Sequence, residues 1–229
     1  MVNQLTLGIG LNDDATFANY YVGPNQQLVE ELKKTSSGIG ERVIYLHGLN
    51  GEGCTHLLQA CCHQANQQAL TSVYLPLANI KEFLPAMFEG LESLSLVCVD
   101  ELQKIVGHPE WEEAFFHLYN RLHDAGSSLI VAANVQPKLL NLLPDIVSRL
   151  TWGMVFQLQT LTDEEKIKAM IMRAGRRGMT LSEEVSKFIL THCPRHMATL
   201  FAALNALDKA SLAAQRKLTI PFVKSVLQI

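Results

Sequence analysis

The stretch VIYLHGLNGEGCTHLL, residues 43–58, decides how the chain is to be read. It opens with an apolar run whose β-branched and aromatic members suit a buried parallel strand. Gly48, Gly51 and Gly53 follow, and Cys54, Thr55 and His56 then lead into a segment with helical apolar spacing. Strand, glycine loop and helix N-terminus together gather backbone N–H groups around an anion, and the helix dipole favours negative charge there. The spacing is that of the phosphate loop, G-x-x-x-x-G-K-[ST], with one departure: Cys54 holds the lysine position. The candidate anion-binding residues are therefore Gly48, Gly51, Glu52, Gly53, Cys54, Thr55 and His56.

Outward from this loop the pattern alternates. Helices are expected over residues 26–34 and 55–68, a strand over 72–77, a weakly patterned helix over 80–91 and a strand over 94–99. An amphipathic helix over 110–124 places Trp111, Phe115, Leu118, Tyr119 and Leu122 on one face. Strands over 128–133 and 154–158 flank a short helix over 145–149. Continuous apolar strands alternating with helices predict a parallel sheet covered on both faces, with active residues at the carboxyl ends of its strands. Beyond Gln159 only helices are expected, at about 163–176, 182–192, 195–214 and 220–228, with capped, acidic starts at Thr162 and Ser182. The expected organisation is an arm over 1–12, an α/β domain over 13–160 and an all-α lid over 161–229.

The 229 residues carry a net charge of −3, which gives no ground for a surface built chiefly to bind nucleic acid. The five cysteines contain no C-x-x-C pair, a reduced rather than a disulfide-framework pattern. The N-terminus lacks the features of a secretory signal, and no apolar run approaches the roughly 18 residues that span a bilayer. A soluble cytoplasmic protein without a membrane partner is expected.

Residues 1–12 read as an extended arm in which Gln4, Leu5 and Leu7 have two readings: a docking motif, or incidental leucines in a disordered terminus. Composition favours the second. The aromatics of TFANYYVG, residues 16–23, suit either core or an apolar wall for a base. Asp100-Glu101, after an apolar strand, has the form of a Walker B pair, in which the first carboxylate holds Mg²⁺ and the second polarises water. Thr55 and Asp100 are the candidate Mg²⁺ residues, and the bland alternative is an acidic turn. Asn134 ends the next strand, where a polar side chain can reach a γ-phosphate or its water. Arg149 near a helix C-terminus serves either as a dipole cap or as an arginine reaching a neighbour's phosphates. Arg195 is expected to begin a helix, a poor place for a cation unless an anion binds there. His56 and His63, seven apart, lack the H-E-x-x-H pattern of a zinc site.

Taken together, phosphate loop, Walker B pair, strand-end polar residue, late arginine and helical lid resemble AAA+ ATPases, and the details resemble the DnaA family. TFANYYVG resembles the box upstream of that family's ATPase core, and residues 48–58 resemble its phosphate loop. SRLTWG at 148–153 resembles its arginine-finger box, and PRHMATL at 194–200 its second-sensor box. The chain ends after the lid, where the family's DNA-binding domain would follow, and LDKASLAAQRKLTIPFVKSVL resembles the lid of the family's short regulatory inactivators. The resemblance implies a negative regulator of replication initiation that holds ADP and docks on the replicative sliding clamp through Gln4, Leu5 and Leu7. It implies stimulated hydrolysis of DnaA-bound ATP, with Arg149 supplied in trans. Such fingers are worth about 10³–10⁵ in rate. Contact with DNA is then indirect, and self-association stays open.

The departures sharpen this expectation. Cys54 removes the point charge that reaches the β- and γ-phosphates, which leaves ADP or another nucleoside diphosphate, held by loop N–H groups, Thr55 and Arg195, as the expected nucleotide. Asn134-Val135 stands where the family has an acid and an arginine, and Gly8 follows the arm motif where proline or an aromatic is commoner. Asp100-Glu101 is intact, so two alternatives stay open: a self-contained ATPase acting as a loader or remodelling factor, and a scaffold whose loop binds nothing.

Overall fold

A computed structural model describes residues 11–78 and 80–229. The arm residues Gln4, Leu5, Leu7 and Gly8 lie outside the described residues. Contacts divide the chain into two compact units. One comprises the described residues up to Ala18 with Gln27–Gly48 and Cys54–Leu158; the other comprises Asn19–Gln26, Leu49–Gly53 and Gln159–Ile229.

The first unit is built on five parallel strands: β1 (Val43–His47), β2 (Ser72–Pro76), β3 (Leu96–Asp100), β4 (Ser128–Ala133) and β5 (Met154–Gln157). Their order is β2-β3-β4-β1-β5. Tyr45 lies opposite Val131 and Val97 opposite Leu129, so these residues share one face. That face packs on α3 (Pro109–Ala125) and α4 (Pro144–Trp152) through Trp111, Phe115, Leu118, Ile146 and Leu150. α1 is Gln26–Ser36, and α2 (Cys54–Gln67) buries Leu57, Leu58, Cys61, Cys62 and Ala65. Every residue of β3 is buried, which accounts for the unbroken apolar run that precedes Asp100. None of the five cysteines forms a disulfide among the described residues.

The second unit holds α5 (Asp163–Arg176), α6 (Glu183–His192), α7 (Met197–Ala214) and α8 (Ile220–Leu227). Thr162 and Glu165 form a reciprocal capping box, with Thr162 N–H donating to Glu165 Oε2 at 2.8 Å. Ser182 Oγ caps α6 by accepting from Val185 N–H. Met170, Ala174, Ile189, Leu200, Leu204 and Val223 form this unit's core, and Tyr21 packs against it. Among the described residues no helix is long and apolar enough to cross a membrane.

Three expectations are corrected. Residues 80–91 form no α-helix; the segment is a series of 3-10 turns, Ile80–Glu82, Pro85–Phe88 and Leu91–Ser93. Leu84 is extended, as a residue before proline prefers to be, and Gly90 turns left-handed at φ 74°, so neither end propagates a helix. The turns deliver Phe88 edge-on to Trp111, with centroids 5.6 Å apart. α4 runs to Trp152 rather than ending at Arg149. α7 begins at Met197 with His196 as N-cap, so Arg195 precedes the helix instead of opening it.

Candidate functional site

At the carboxyl end of β1 the ladder extends one step, with Gly48 N–H donating to Ala133 O at 3.3 Å. A Cβ on Gly48 would lie 2.9 Å from the Cβ of Leu158, so the residue is glycine for reasons of space. Within the loop Glu52 N–H closes a turn on Leu49 O at 3.2 Å. Gly51 and Gly53 have φ of 83° and 118°, values that any side chain would strain. A Cβ on Gly53 would meet the Tyr20 ring at 3.1 Å. The upstream aromatics thus divide three ways: Phe17 is core, Tyr20 backs the loop, and Tyr21 packs on the helical unit.

Cys54 opens α2, and Thr55 follows it. Thr55 Oγ1 donates to Asp100 Oδ2 at 2.6 Å, and Tyr74 O–H donates to the same oxygen at 2.9 Å. Asp100 Oδ1 accepts the Glu101 N–H at 2.9 Å, which satisfies a carboxylate only 4% exposed. Burial, then the Asp100 charge, pushes the Tyr74 phenol well above its usual range. Glu101 has a left-handed backbone at φ 58°, uncommon for a residue with a side chain. A threonine hydroxyl beside a buried carboxylate is an oxygen donor set that suits Mg²⁺.

β4 lies between β3 and β1, so Asn134 leaves the sheet between the Asp100 strand and the loop strand. It is exposed, and its N–H donates to Gln103 Oε1 at 3.3 Å. His56 Nε2 donates to Thr16 O at 2.8 Å and His63 Nε2 to Asn12 O at 3.1 Å; the two histidines tether the segment that precedes α1.

Arg149 occupies the last turn of α4. Its guanidinium lies over the Phe116 ring at 4.2 Å and the Tyr119 ring at 5.8 Å, while Nη1 donates to Asp145 O at 3.4 Å. Gly153 ends α4 with ordinary dihedrals, yet a Cβ there would sit 2.4 Å from Val43 O, so α4 approaches β1 as closely as the backbones allow. In the helical unit, Arg195 Nη1 pairs with Asp163 Oδ2 at 2.8 Å. Asp163 is the first residue of α5, where a carboxylate also favours the helix dipole.

The first unit therefore brings Thr55 and Asp100 together, with Glu101 and Asn134 at neighbouring strand ends. Arg149 stands apart on α4, and Arg195 belongs to the other unit. Tyr74, Gln103, Phe116 and Asp163 take part without having been singled out. Only Tyr74 had a sequence signal, a phenol inside a strand that needs a buried partner.

Residues 11–157 match the family described as the bacterial DnaA ATPase domain. The chain belongs to the DnaA family. Residues 163–227 of this DnaA-family chain match the lid domain of Hda. The chain is 46% identical over 231 residues to an uncharacterized protein of Haemophilus influenzae, with the whole of both sequences covered. The crystal structure of domain III of the Thermotoga maritima replication initiation protein DnaA matches with a TM-score of 0.83 at 22% identity, over 96% of this chain and 98% of that one. AMPPCP-bound DnaA from Aquifex aeolicus gives 0.75 at 23% identity, over 89% of this chain and 67% of that one. The Thermotoga maritima RuvB Holliday junction branch migration motor gives 0.64 at 14% identity, with 89% and 67% covered. These structural likenesses establish the DnaA-like AAA+ fold.

Proposed function

We propose that this DnaA-family chain is a negative regulator of replication initiation that binds ADP, docks on the sliding clamp and stimulates hydrolysis of DnaA-bound ATP through Arg149. The observation that supports it most is Arg149 itself. Its guanidinium is steered by aromatic rings and a carbonyl, and no carboxylate pairs with it among the described residues. A cation so held keeps its charge for an outside anion.

The first turn of α2 would hold the diphosphate, with Thr55 and Asp100 on Mg²⁺, which neutralises phosphate charge when bound. That the Aquifex neighbour is AMPPCP-bound supports a nucleotide as the ligand. Cys54 in place of lysine supports a diphosphate over turnover of ATP. Gln4, Leu5 and Leu7 would supply the clamp contact, and a pull-down on the clamp with and without residues 1–8 tests it.

The deciding experiment compares the wild-type chain with Arg149→Ala on ATP-bound DnaA in the presence of DNA-loaded clamp. Loss of stimulation with clamp binding retained is expected; full stimulation by the variant rules the reading out. One observation favours a second reading, a self-contained ATPase: Asp100 and Glu101 stand intact beside Thr55. Turnover by the isolated chain that disappears in Glu101→Gln would establish it.

A further inference from the structure

Glu112 lies in the first turn of α3 and is 7% exposed, a buried carboxylate with no part in the roles above. Both of its oxygens are taken by backbone donors. Oε1 accepts the Gly107 N–H at 2.9 Å, and Oε2 accepts the Leu143 N–H at 2.9 Å. Gly107 follows the Leu102–Ile105 turn that leaves the Asp100-Glu101 pair, and Gln103 in that turn accepts the Asn134 N–H. Leu143 is the N-cap of α4, the helix that carries Arg149, and its own side chain supplies no cap. A buried carboxylate is costly unless its lone pairs are filled, and here two N–H groups and the N-terminus of α3 serve it. Four residues on, Phe116 carries the Arg149 guanidinium. One helix, α3, thus grips α4 at its entry through Glu112 and at its last turn through Phe116.

We infer that Glu112 is a positioning residue for Arg149: its carboxylate fixes the entry of α4 against the turn behind the Asp100-Glu101 pair, and so sets where the guanidinium is presented. The inference rests on the reading of Arg149 as a finger acting in trans. α4 is a short rigid rod, so movement at Leu143 is transmitted to its last turn. Misplacement of a charge-stabilising group by about 1 Å costs on the order of a hundredfold in rate.

The test uses the full chain as wild type, Glu112→Gln, Leu143→Pro and Arg149→Ala. Glutamine keeps one accepting oxygen but turns an NH₂ donor toward the second N–H. Leu143→Pro removes the donor from the other side, and the native φ of −50° suits proline, so the contact is lost even where one variant folds poorly. Amide exchange is read by mass spectrometry over residues 104–110 and 140–152, alongside the maximal rate and half-saturating concentration for stimulated hydrolysis of DnaA-bound ATP. Both contact variants are expected to exchange faster over 140–152 while α5–α8 keep their protection. Maximal rate should fall on the order of tenfold to a hundredfold, with half-saturation moved less than about twofold. Unchanged exchange over 140–152, or an undiminished maximal rate where Arg149→Ala is inactive, overturns the inference. Full activity of Arg149→Ala instead removes the finger reading, and the exchange data then decide by themselves whether Glu112 holds α4.

Discussion

Thr55 Oγ1 donates to Asp100 Oδ2 at 2.6 Å, which ties the first turn of α2 to the end of β3. Tyr74 reaches the same oxygen from β2. Hydrogen bonds to a charged acceptor contribute about 1.5–3 kcal/mol. Tyr74→Phe is expected to lower unfolding free energy by that amount in urea titration, with the fold retained. A loss below measurement error would mean that Asp100 does not need this donor.

The buried phenols also set an alkaline limit. Burial raises Tyr45 and Tyr74 in the folded chain, and the Asp100 charge raises Tyr74 further. In the unfolded chain both titrate near ~10. Below that value both states hold the protons and the contribution is fully present. Above it the unfolded chain ionises first, so stability falls toward the raised folded values. The urea midpoint should drop between about pH 9 and 11, and less so in the double variant Tyr45→Phe, Tyr74→Phe. Parallel profiles for the two proteins would refute this.

On the proposed reading, Asp163 competes with a diphosphate for Arg195. Its pairing with Asp163 engages a guanidinium expected to serve a diphosphate, in a pair 63% and 48% exposed. Such pairs are worth about 0–1 kcal/mol. Asp163→Asn should therefore leave thermal stability nearly unchanged and tighten ADP binding by up to about fivefold at low salt, with the gap closing as salt screens the charges. Calorimetric titration that finds equal or weaker binding in the variant contradicts the competition.

Gly153→Ala probes a close backbone approach in the first unit. The dihedrals suit alanine, but the new Cβ would overlap Val43 O, so β1 or α4 must move. Overpacking of this kind costs about 1–3 kcal/mol, to be read in urea. A neutral result would show that α4 is free to slide on β1.

The sheet was legible because its strands are unbroken apolar runs, and Val43, Leu96 and Ser128 begin β1, β3 and β4 close to where the composition changes. The Thr55–Asp100 pairing was legible for a different reason: a phosphate loop and an apolar strand ending in an acid belong to neighbouring strand ends. Residues 80–91 misled because Leu84, Phe88 and Leu91 have helical spacing while Pro85 and Gly90 deny the helix its continuity. Arg195 misled by two residues, since His196 supplies neither a capping hydroxyl nor an amide that would mark the start of α7. Glu112 gave no sign. An acid in a first turn is ordinary, and only the local turn that presents the Gly107 N–H and the arrival of Leu143 from farther along the chain give it work.

Among the described residues β5 has one neighbour, β1, and its Met154 and Val155 are 38% and 40% exposed. An open strand edge invites other strands to add. Fibril-forming templates run to about six or seven residues, whereas β5 has four and is bounded by Gly153 and by the Leu158 N–H bonded to His47 O. Brevity is thus its protection: a protein whose Arg149 lies one turn from an open edge can be crowded without that edge seeding polymer.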